Sequence, residues 1–457
     1  MASRLHQQQQ QCTLRIAVVG GPQYDRLYDR LPTFEAETGI RVEIAYKGSH
    51  PELNDYIAAT FPPANNTDNN SYKTPELDLI STHVKYAPSQ AHYLQELDSS
   101  LVSQEQQDEF LDSALEACKI QEKLMQLPRM VDSRVLFYRA DILEKLGLTP
   151  PKTWQDLLKC ASTIGQAALP IDVVEQPASA SGVAEVKTMQ GYVFPGKLSG
   201  LFGTFYELAM VEMRHPEALF DKHDRPVFEE STVVPVLTYM RQLVTSGAVP
   251  ADIDQYYFDQ VSAMFAEGRV AMVADWPSYY RDMKQHLLNK ADGQEGANVK
   301  VMRYPVGANG SRSAYSGMHS FAIPKSCRHP QEALRLLQFL VHDDQQWLEA
   351  TKSGSFPTKK AVLQRLVSET GEAAAAAKSV AGGVERTSES QSDAQLDSER
   401  LGCLRATVEE DMAMFPHLLT YPELEDALYP MIQDAMMGRL TPEEAARRMQ
   451  TRALQPF

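Results

Sequence analysis

Residues 123–158, KLMQLPRMVDSRVLFYRADILEKLGLTPPKTWQDLL, constrain the fold more than any other stretch of the chain. Leu124, Leu127, Val131 and the run Val135, Leu136, Phe137 and Tyr138 put apolar residues into short extended pieces interrupted by Pro128. A chain leaving one sheet and entering another has this pattern, so the stretch reads as a crossing between two lobes. After it, Asp141 is placed to cap a short helix carrying Ile142, Leu143 and Leu146, and Gly147 can take the left-handed conformation that ends it. Pro150 and Pro151 stiffen the turn. Thr153 with Asp156 three residues on is close to a capping box, so a second helix begins at Trp154.

A crossing of this kind needs a chain long enough for two cores, and 457 residues exceed what one core usually holds. The formal charge of −16 argues against attraction to nucleic-acid phosphates or anionic membranes, and no basic run offsets it. Cys12, Cys118, Cys160, Cys327 and Cys403 are scattered and odd in number, which fits neither a disulfide framework nor a metal knuckle. No apolar run approaches bilayer length. The start, MASRLHQQQQQC, lacks the apolar core of a secretory signal, and glutamines before Cys12 do not resemble a lipoprotein site.

Read in order, Leu14, Ile16, Val18 and Val19 form a first strand running into Gly20 and Gly21. A helix over about 25–37 follows, stopped by Gly39, and a strand over 42–46 comes next. Residues 61–74 are a polar, asparagine-rich insertion, with Asn65 and Asn69 in glycosylation patterns. Residues 77–81 are a buried strand with Ser81, Thr82 and His83 at its carboxyl end; His83 by itself also reads as an ordinary loop histidine. Residues 100–122 are helical, 167–188 form a loop insertion, and an aromatic-rich helix starts near Leu201. Val270 to Ala274 form a strand that delivers Asp275 and Trp276. Residues 372–400, alanine-rich and then rich in Ser, Glu and Gln, read as disordered. No phosphate loop, zinc helix, nucleophile elbow or Cys/His cluster is present.

Several of these pieces together resemble family 1 extracellular solute-binding proteins of ABC importers, the family that includes maltose-binding protein. The carriers are FEAETGIRVEI at 34–44, the Leu-Pro, Asp, Phe-Tyr, Gly-Leu and Pro-Pro-Lys-Thr-Trp series at 127–154, LTYMRQLVTSGAVP at 237–250, FAEGRVAMVADW at 265–276, AYSGMHSFAI at 314–323 and SGSFPTKKAVL at 353–363. The resemblance runs from about Thr13 to Arg452 and is broken by three insertions.

It implies an α/β, two-lobed periplasmic-binding-protein type II fold, each lobe a mixed sheet flanked by helices and joined by hinge crossings. The expected division is a disordered 1–12, an N-terminal lobe of 13–129 plus 303–340, a C-terminal lobe of 130–302 plus 341–457, and a disordered insertion at 370–402. It further implies a small polar solute, most readily a sugar or oligosaccharide, held in an interlobe cleft by hinge closure and passed to transporter permease subunits. The expected state is a monomeric, periplasmic or extracellular protein with no cofactor, metal, nucleic acid or membrane insertion. The missing signal leaves a cytoplasmic location open.

Candidate contacts carried over are Gly21, Gln23 and Tyr24 at the end of the first strand, Ser81 and Thr82 after the third, Asp132 in the crossing, Phe202 and Phe205 on the aromatic helix, Asp275 and Trp276 on the strand end, and Tyr315 and Gly317 in the glycine turn. Trp276 is the strongest of these, because the FAEGRVAMVADW match puts it where the family stacks an indole on the ligand, although a tryptophan at a strand end also reads as packing. Phe202 and Phe205 read equally as core. Arg129 and Arg134 beside Asp132 read equally as a salt-bridged hinge, and with His319 they would permit an anion. Two alternatives stay open: an enzyme on the same scaffold, as in thiamine-degrading relatives whose nucleophilic cysteine has no counterpart beside Asp132, and an intracellular sensing or scaffold relative.

Overall fold

The strand Thr13–Val19 buries Leu14, Ile16, Ala17, Val18 and Val19, as expected of a parallel-sheet strand covered on both faces, which keeps no polar alternation. It pairs in parallel with Arg41–Gly48, Ile16 opposite Ile44, and with Leu79–His83, Ile16 opposite Leu79. Ala314–Ala322 then adds antiparallel to Leu79–His83, setting His319 opposite His83 and Ser320 opposite Thr82. The sheet order, by strand, is Phe356–Pro357, Leu127–Ser133, Ala314–Ala322, Leu79–His83, Thr13–Val19, Arg41–Gly48. A second sheet runs Val299–Met302, Val135–Arg139, Val270–Asp275, Gln190–Val193.

This computed structural model describes residues 12–21, 24–61, 76–171, 188–212, 217–283, 287, 297–379, 388–413, 415–416 and 418–456. The chain forms two units. Unit 1 holds residues 1–131, 318–351 and 357–363, and unit 2 holds 132–317, 352–356 and 364–457. Two of the boundaries fall inside the strands Leu127–Ser133 and Ala314–Ala322, and the others fall between 351 and 352, 356 and 357, and 363 and 364.

The division differs from the expected one in four segments: 130–131 and 357–363 fall in unit 1, and two longer stretches change sides. Residues 341–351 belong to unit 1, because Glu349 forms a buried pair with Arg129 at 2.9 Å and Gln346 accepts from the amides of Thr358 and Lys359. Residues 303–317 belong to unit 2, where Arg303 pairs with Asp411 and the Tyr315 amide donates to Glu207.

Local signals in the sequence formed as their chemistry requires. Thr153 accepts from the Asp156 amide while Asp156 accepts from Thr153, so Trp154–Ala167 starts with a complete capping box. Gly147 sits at φ +66, where a side chain would meet its own carbonyl. Asp141, in contrast, does not cap its helix. Arg139 occupies the cap position of Ala140–Lys145, and Asp141 lies in the first turn, accepting two bonds from the Arg139 guanidinium.

The expected helix over 25–37 is two, Asp25–Tyr28 and Leu31–Thr38. Residues 100–122 contain only the short helices Gln104–Asp108 and Asp112–Ala117 before a strand at Lys119–Ile120. The insertion expected to be disordered is largely helical, as Lys360–Ser379 and Ser388–Ala406. Alanine has the highest helix propensity of any residue, and the second helix buries Leu396, Leu401 and Leu404. Residue 12 is also ordered, its carbonyl accepting from the Arg41 amide. Residues 1–11, the Asn65 and Asn69 patterns and most of the 167–188 insertion lie outside the described residues.

Candidate functional site

In unit 2, the strand Val270–Asp275 is buried along its whole length, so its last residue and the next one, Trp276, are fixed by the sheet. Asp275 accepts from the Ser262 hydroxyl at 2.9 Å and from the Trp276 amide at 2.8 Å, both through Oδ1. Burial pushes its carboxyl up to about 7, against the pull of those two donors and of Arg134. Trp276 is half-buried, whereas Tyr315 beside it is 4 % exposed. The indole meets Tyr315 edge-on with centroids 5.4 Å apart and Phe258 at 5.6 Å. The Arg134 guanidinium lies 5.4 Å from the Trp276 centroid and 5.1 Å from that of Tyr315, a cation spread over two ring faces.

That arrangement depends on a buried pair which sequence reasoning missed. Arg134 donates to Glu207 at 2.7 Å, and both side chains are 1 % exposed. Glu207 is also held by the Tyr315 amide, while burial pushes its carboxyl up to about 7. Breaking a buried pair by removing one partner costs about 3–5 kcal/mol, so Arg134 is locked in place and with it the two rings. The signal was legible: Glu207 is the one acid in the middle of the apolar helix Leu198–Glu212, and an isolated acid on such a helix needs a cation.

Phe202 and Phe205 are fully buried in the same helix, packed on Phe228 and, for Phe202, on Tyr421. They belong to the interior of unit 2. Gly317 is buried in the same strand as Tyr315, Ala314–Ala322, so the expected glycine turn is extended backbone instead. Asp132 lies in the strand Leu127–Ser133, and its side chain is outside the described residues. The expected hinge bridge is not local: Arg129 pairs with Glu349 in unit 1, and Arg134 with Glu207 in unit 2.

In unit 1, the sheet brings together residues that the sequence left apart. Gly21, at φ +136, lets the chain turn from the first strand so that its carbonyl accepts from the Tyr24 and Asp25 amides. Tyr24 then lies with its hydroxyl 3.2 Å from Nε2 of both His50 and His319. Ser81 accepts from the Val19 amide, and Thr82 donates to Gln90, so both hydroxyls are used inside the unit. Gln23 lies outside the described residues. Three imidazoles pack here, His50 to His319 with centroids 4.7 Å apart and His83 to His319 at 5.3 Å. Burial holds His50 and His83 well below the usual imidazole range. His83 is thus at a buried strand end, and pairing with His319 across an antiparallel register placed it there; no local signal in the sequence marks this.

A groove of about 400 Å³ elsewhere on unit 1, between Phe34 and Phe339, holds none of these residues. Among the described residues no three His, Cys, Asp or Glu side chains are placed to share a metal ion. The Cys118 thiol is buried and pushed well above its ordinary value, and burial also raises Cys12, Cys160, Cys327 and Cys403. An activated nucleophile needs the opposite shift.

Unit 2 thus sets a half-buried indole beside a buried carboxylate at one strand end. The chain belongs to the bacterial extracellular solute-binding protein family, whose model matches residues 30–379. A probable ABC transporter-binding protein of Deinococcus radiodurans is 25 % identical over 288 residues, 63 % of each chain. An arabinooligosaccharide-binding protein of Bacillus subtilis is 23 % identical over 249 residues, covering 53 % of this chain and 50 % of that one. The chain thus spans less than two thirds of the length of these curated relatives. The fold is that of the two-lobed solute-binding proteins: the maltose-bound MalE3 of T. maritima superposes with a TM-score of 0.72 at 22 % identity, covering 97 % of this chain and 99 % of that one. The GacH receptor of Streptomyces glaucescens, solved unliganded and with acarbose, gives 0.70 at 19 %, over 96 % and 97 %.

Proposed function

We propose that this protein captures a carbohydrate for an ABC importer, working as a monomer in the periplasm or at the cell surface without covalent chemistry, and that Trp276 is the stacking surface for a sugar ring. The observation that carries this is the contrast within the aromatic group: Trp276 is half-buried while Tyr315 is packed away. A ring held rigid by Arg134, Tyr315 and Phe258 yet left partly open is arranged to cover an apolar sugar face at little entropic cost. Asp275 supports the reading: both hydrogen bonds it accepts among the described residues end on Oδ1, and Oδ2 is the acceptor assigned here to a sugar hydroxyl. The relatives point the same way, because those with named ligands bind maltose, acarbose and arabinooligosaccharides. No helix among the described residues is long and apolar enough to cross a membrane.

Isothermal titration with maltose, mannobiose and arabinooligosaccharides tests the reading. At least one neutral sugar binds, and Trp276→Ala weakens it by about 10- to 100-fold, equivalent to about 1.4–2.8 kcal/mol. A full set of sugars without heat or thermal stabilisation, or a bound sugar indifferent to Trp276→Ala, would sink it.

A further inference from the structure

Two helices of unit 1 bring a separate set of side chains to the groove between Phe34 and Phe339. Leu31–Thr38 carries Phe34 and Glu37, with Arg30 at its cap position, and Pro330–Leu340 carries Arg335 and Phe339. Residues three and four apart share a helix face, so Arg30, Phe34 and Glu37 form one stripe and Arg335 and Phe339 another. The stripes meet where the two phenyl rings lie with centroids 5.3 Å apart. Phe34 is 1 % exposed while Phe339 is half-buried, which gives the groove an apolar floor with one ring partly open. Its volume of about 400 Å³ falls within the range of small-molecule pockets, about 300–1,000 Å³.

The polar groups around that floor are unspent. Gln345 lines the groove and is only 3 % exposed, yet its side-chain Oε1 is buried without a hydrogen-bond partner among the described residues. A buried acceptor left without a donor is costly, and nearly all such groups in folded proteins have one. Arg30, Arg335 and Glu37 stand exposed at the rim, and their side chains make no hydrogen bond or ion pair among the described residues. The other two charged or titratable groups of the lining, His342 and Asp344, face each other at 3.6 Å. The groove therefore offers an apolar ring, a buried acceptor, and unpaired charges of both signs.

We propose that this groove is a binding site for a small zwitterion with an apolar body, an α-amino acid with an aromatic side chain. The side chain lies on Phe339, the carboxylate takes a rim guanidinium, and the ammonium donates to Gln345 Oε1 and pairs with Glu37. A neutral sugar brings neither charge, and a simple anion leaves both Glu37 and the Gln345 oxygen unmatched. The groove shares no residue with the Trp276 face, so the proposal stands or falls separately from carbohydrate binding.

The experiment is isothermal titration of the full chain with L-phenylalanine, with phenylacetate, which lacks the ammonium, and with phenethylamine, which lacks the carboxylate. L-phenylalanine binds saturably, and each single-charge analogue binds about tenfold or more weakly. Gln345→Leu, and the double variant Arg30→Ala/Arg335→Ala, each weaken L-phenylalanine by about tenfold or more, equivalent to at least about 1.4 kcal/mol. Gln345→Leu keeps the parental Tm, because the oxygen it removes accepts no bond in the unbound protein. If Gln345→Leu fails to fold, the arginine variant and Glu37→Gln decide, because those side chains are exposed. Absence of saturable L-phenylalanine binding, parental affinity in every variant that folds, or an analogue that binds as tightly as L-phenylalanine overturns the proposal.

Discussion

At the scale of single residues, Asp275 links binding chemistry to stability. Its carboxyl is held at about 7 by burial, against an ordinary value of 3.8. Between these values the unfolded chain has lost its proton while the folded chain keeps it, so this group favours folding at low pH and loses that contribution as pH rises from about 4 through 7. Replacing it with Asn, which cannot ionise, removes the slope. Urea midpoints measured at pH 4.5 and pH 7.5 should therefore show the parent losing ground to Asp275→Asn as pH rises; parallel behaviour would show that the carboxyl is not perturbed. The histidines act with the opposite sign. His50 and His83 are held neutral in the fold, so their contribution is present above about 6.5 and lost as pH falls below it. The Asp275→Asn comparison cancels this term, because both proteins contain it.

Residues also show where sequence reasoning stopped. Trp276 and the strand before it were legible because the glycine, the apolar run and the acid-indole pair follow one another within a dozen positions. The capping box at Thr153 and Asp156 was legible for the same reason. What joins distant segments was not: Glu349 lies 220 positions from Arg129 on a polar helix with nothing to mark it, and His319 is opposite His83 only because two strands pair. Phe202 and Phe205 were ambiguous in principle, since an aromatic ring at helical spacing looks the same whether it faces a ligand or a core.

At the scale of elements, the helix Leu198–Glu212 determines how the aromatic face is held. It supplies Glu207 to Arg134 and, one turn earlier, Gly203, where an added Cβ would lie 2.3 Å from the Tyr315 ring. Glycine there lets the ring lie directly on the helix backbone, and the ring in turn supports the edge of Trp276. Gly203→Ala sets two effects against each other. Alanine gains about 1 kcal/mol in helix propensity. Overpacking against a ring that Arg134 and Phe415 hold in place costs about 1–3 kcal/mol. The second effect should win or balance, and binding should suffer more than stability because the displaced ring carries Trp276 with it. Circular dichroism melts together with sugar titration would check this; full sugar affinity in Gly203→Ala would mean that Tyr315 does not position the indole.

At the scale of the whole molecule, the two units are interleaved in the chain. Unit 1 is made from three segments and is complete only at residue 363, and unit 2 is likewise made from three, with three of the five boundaries inside strands of one sheet and two inside helices. Neither unit can be cut out as a continuous piece, because the chain passes from one to the other five times. Heat should therefore unfold the chain in one cooperative transition despite its two cores. With unfolding entropy near 2.1 cal/mol/K per residue, 457 residues give about 1 kcal/mol/K at the midpoint. A sugar at 100 times its Kd stabilises the folded chain by about 2.7 kcal/mol, which corresponds to a rise of about 3 °C. Differential scanning calorimetry should then show a single endotherm displaced by about that amount when the sugar is added. Two endotherms of which only one moves would mean that the units melt independently and that the shared strands do not couple them. One endotherm that no sugar displaces would instead count against carbohydrate as the solute.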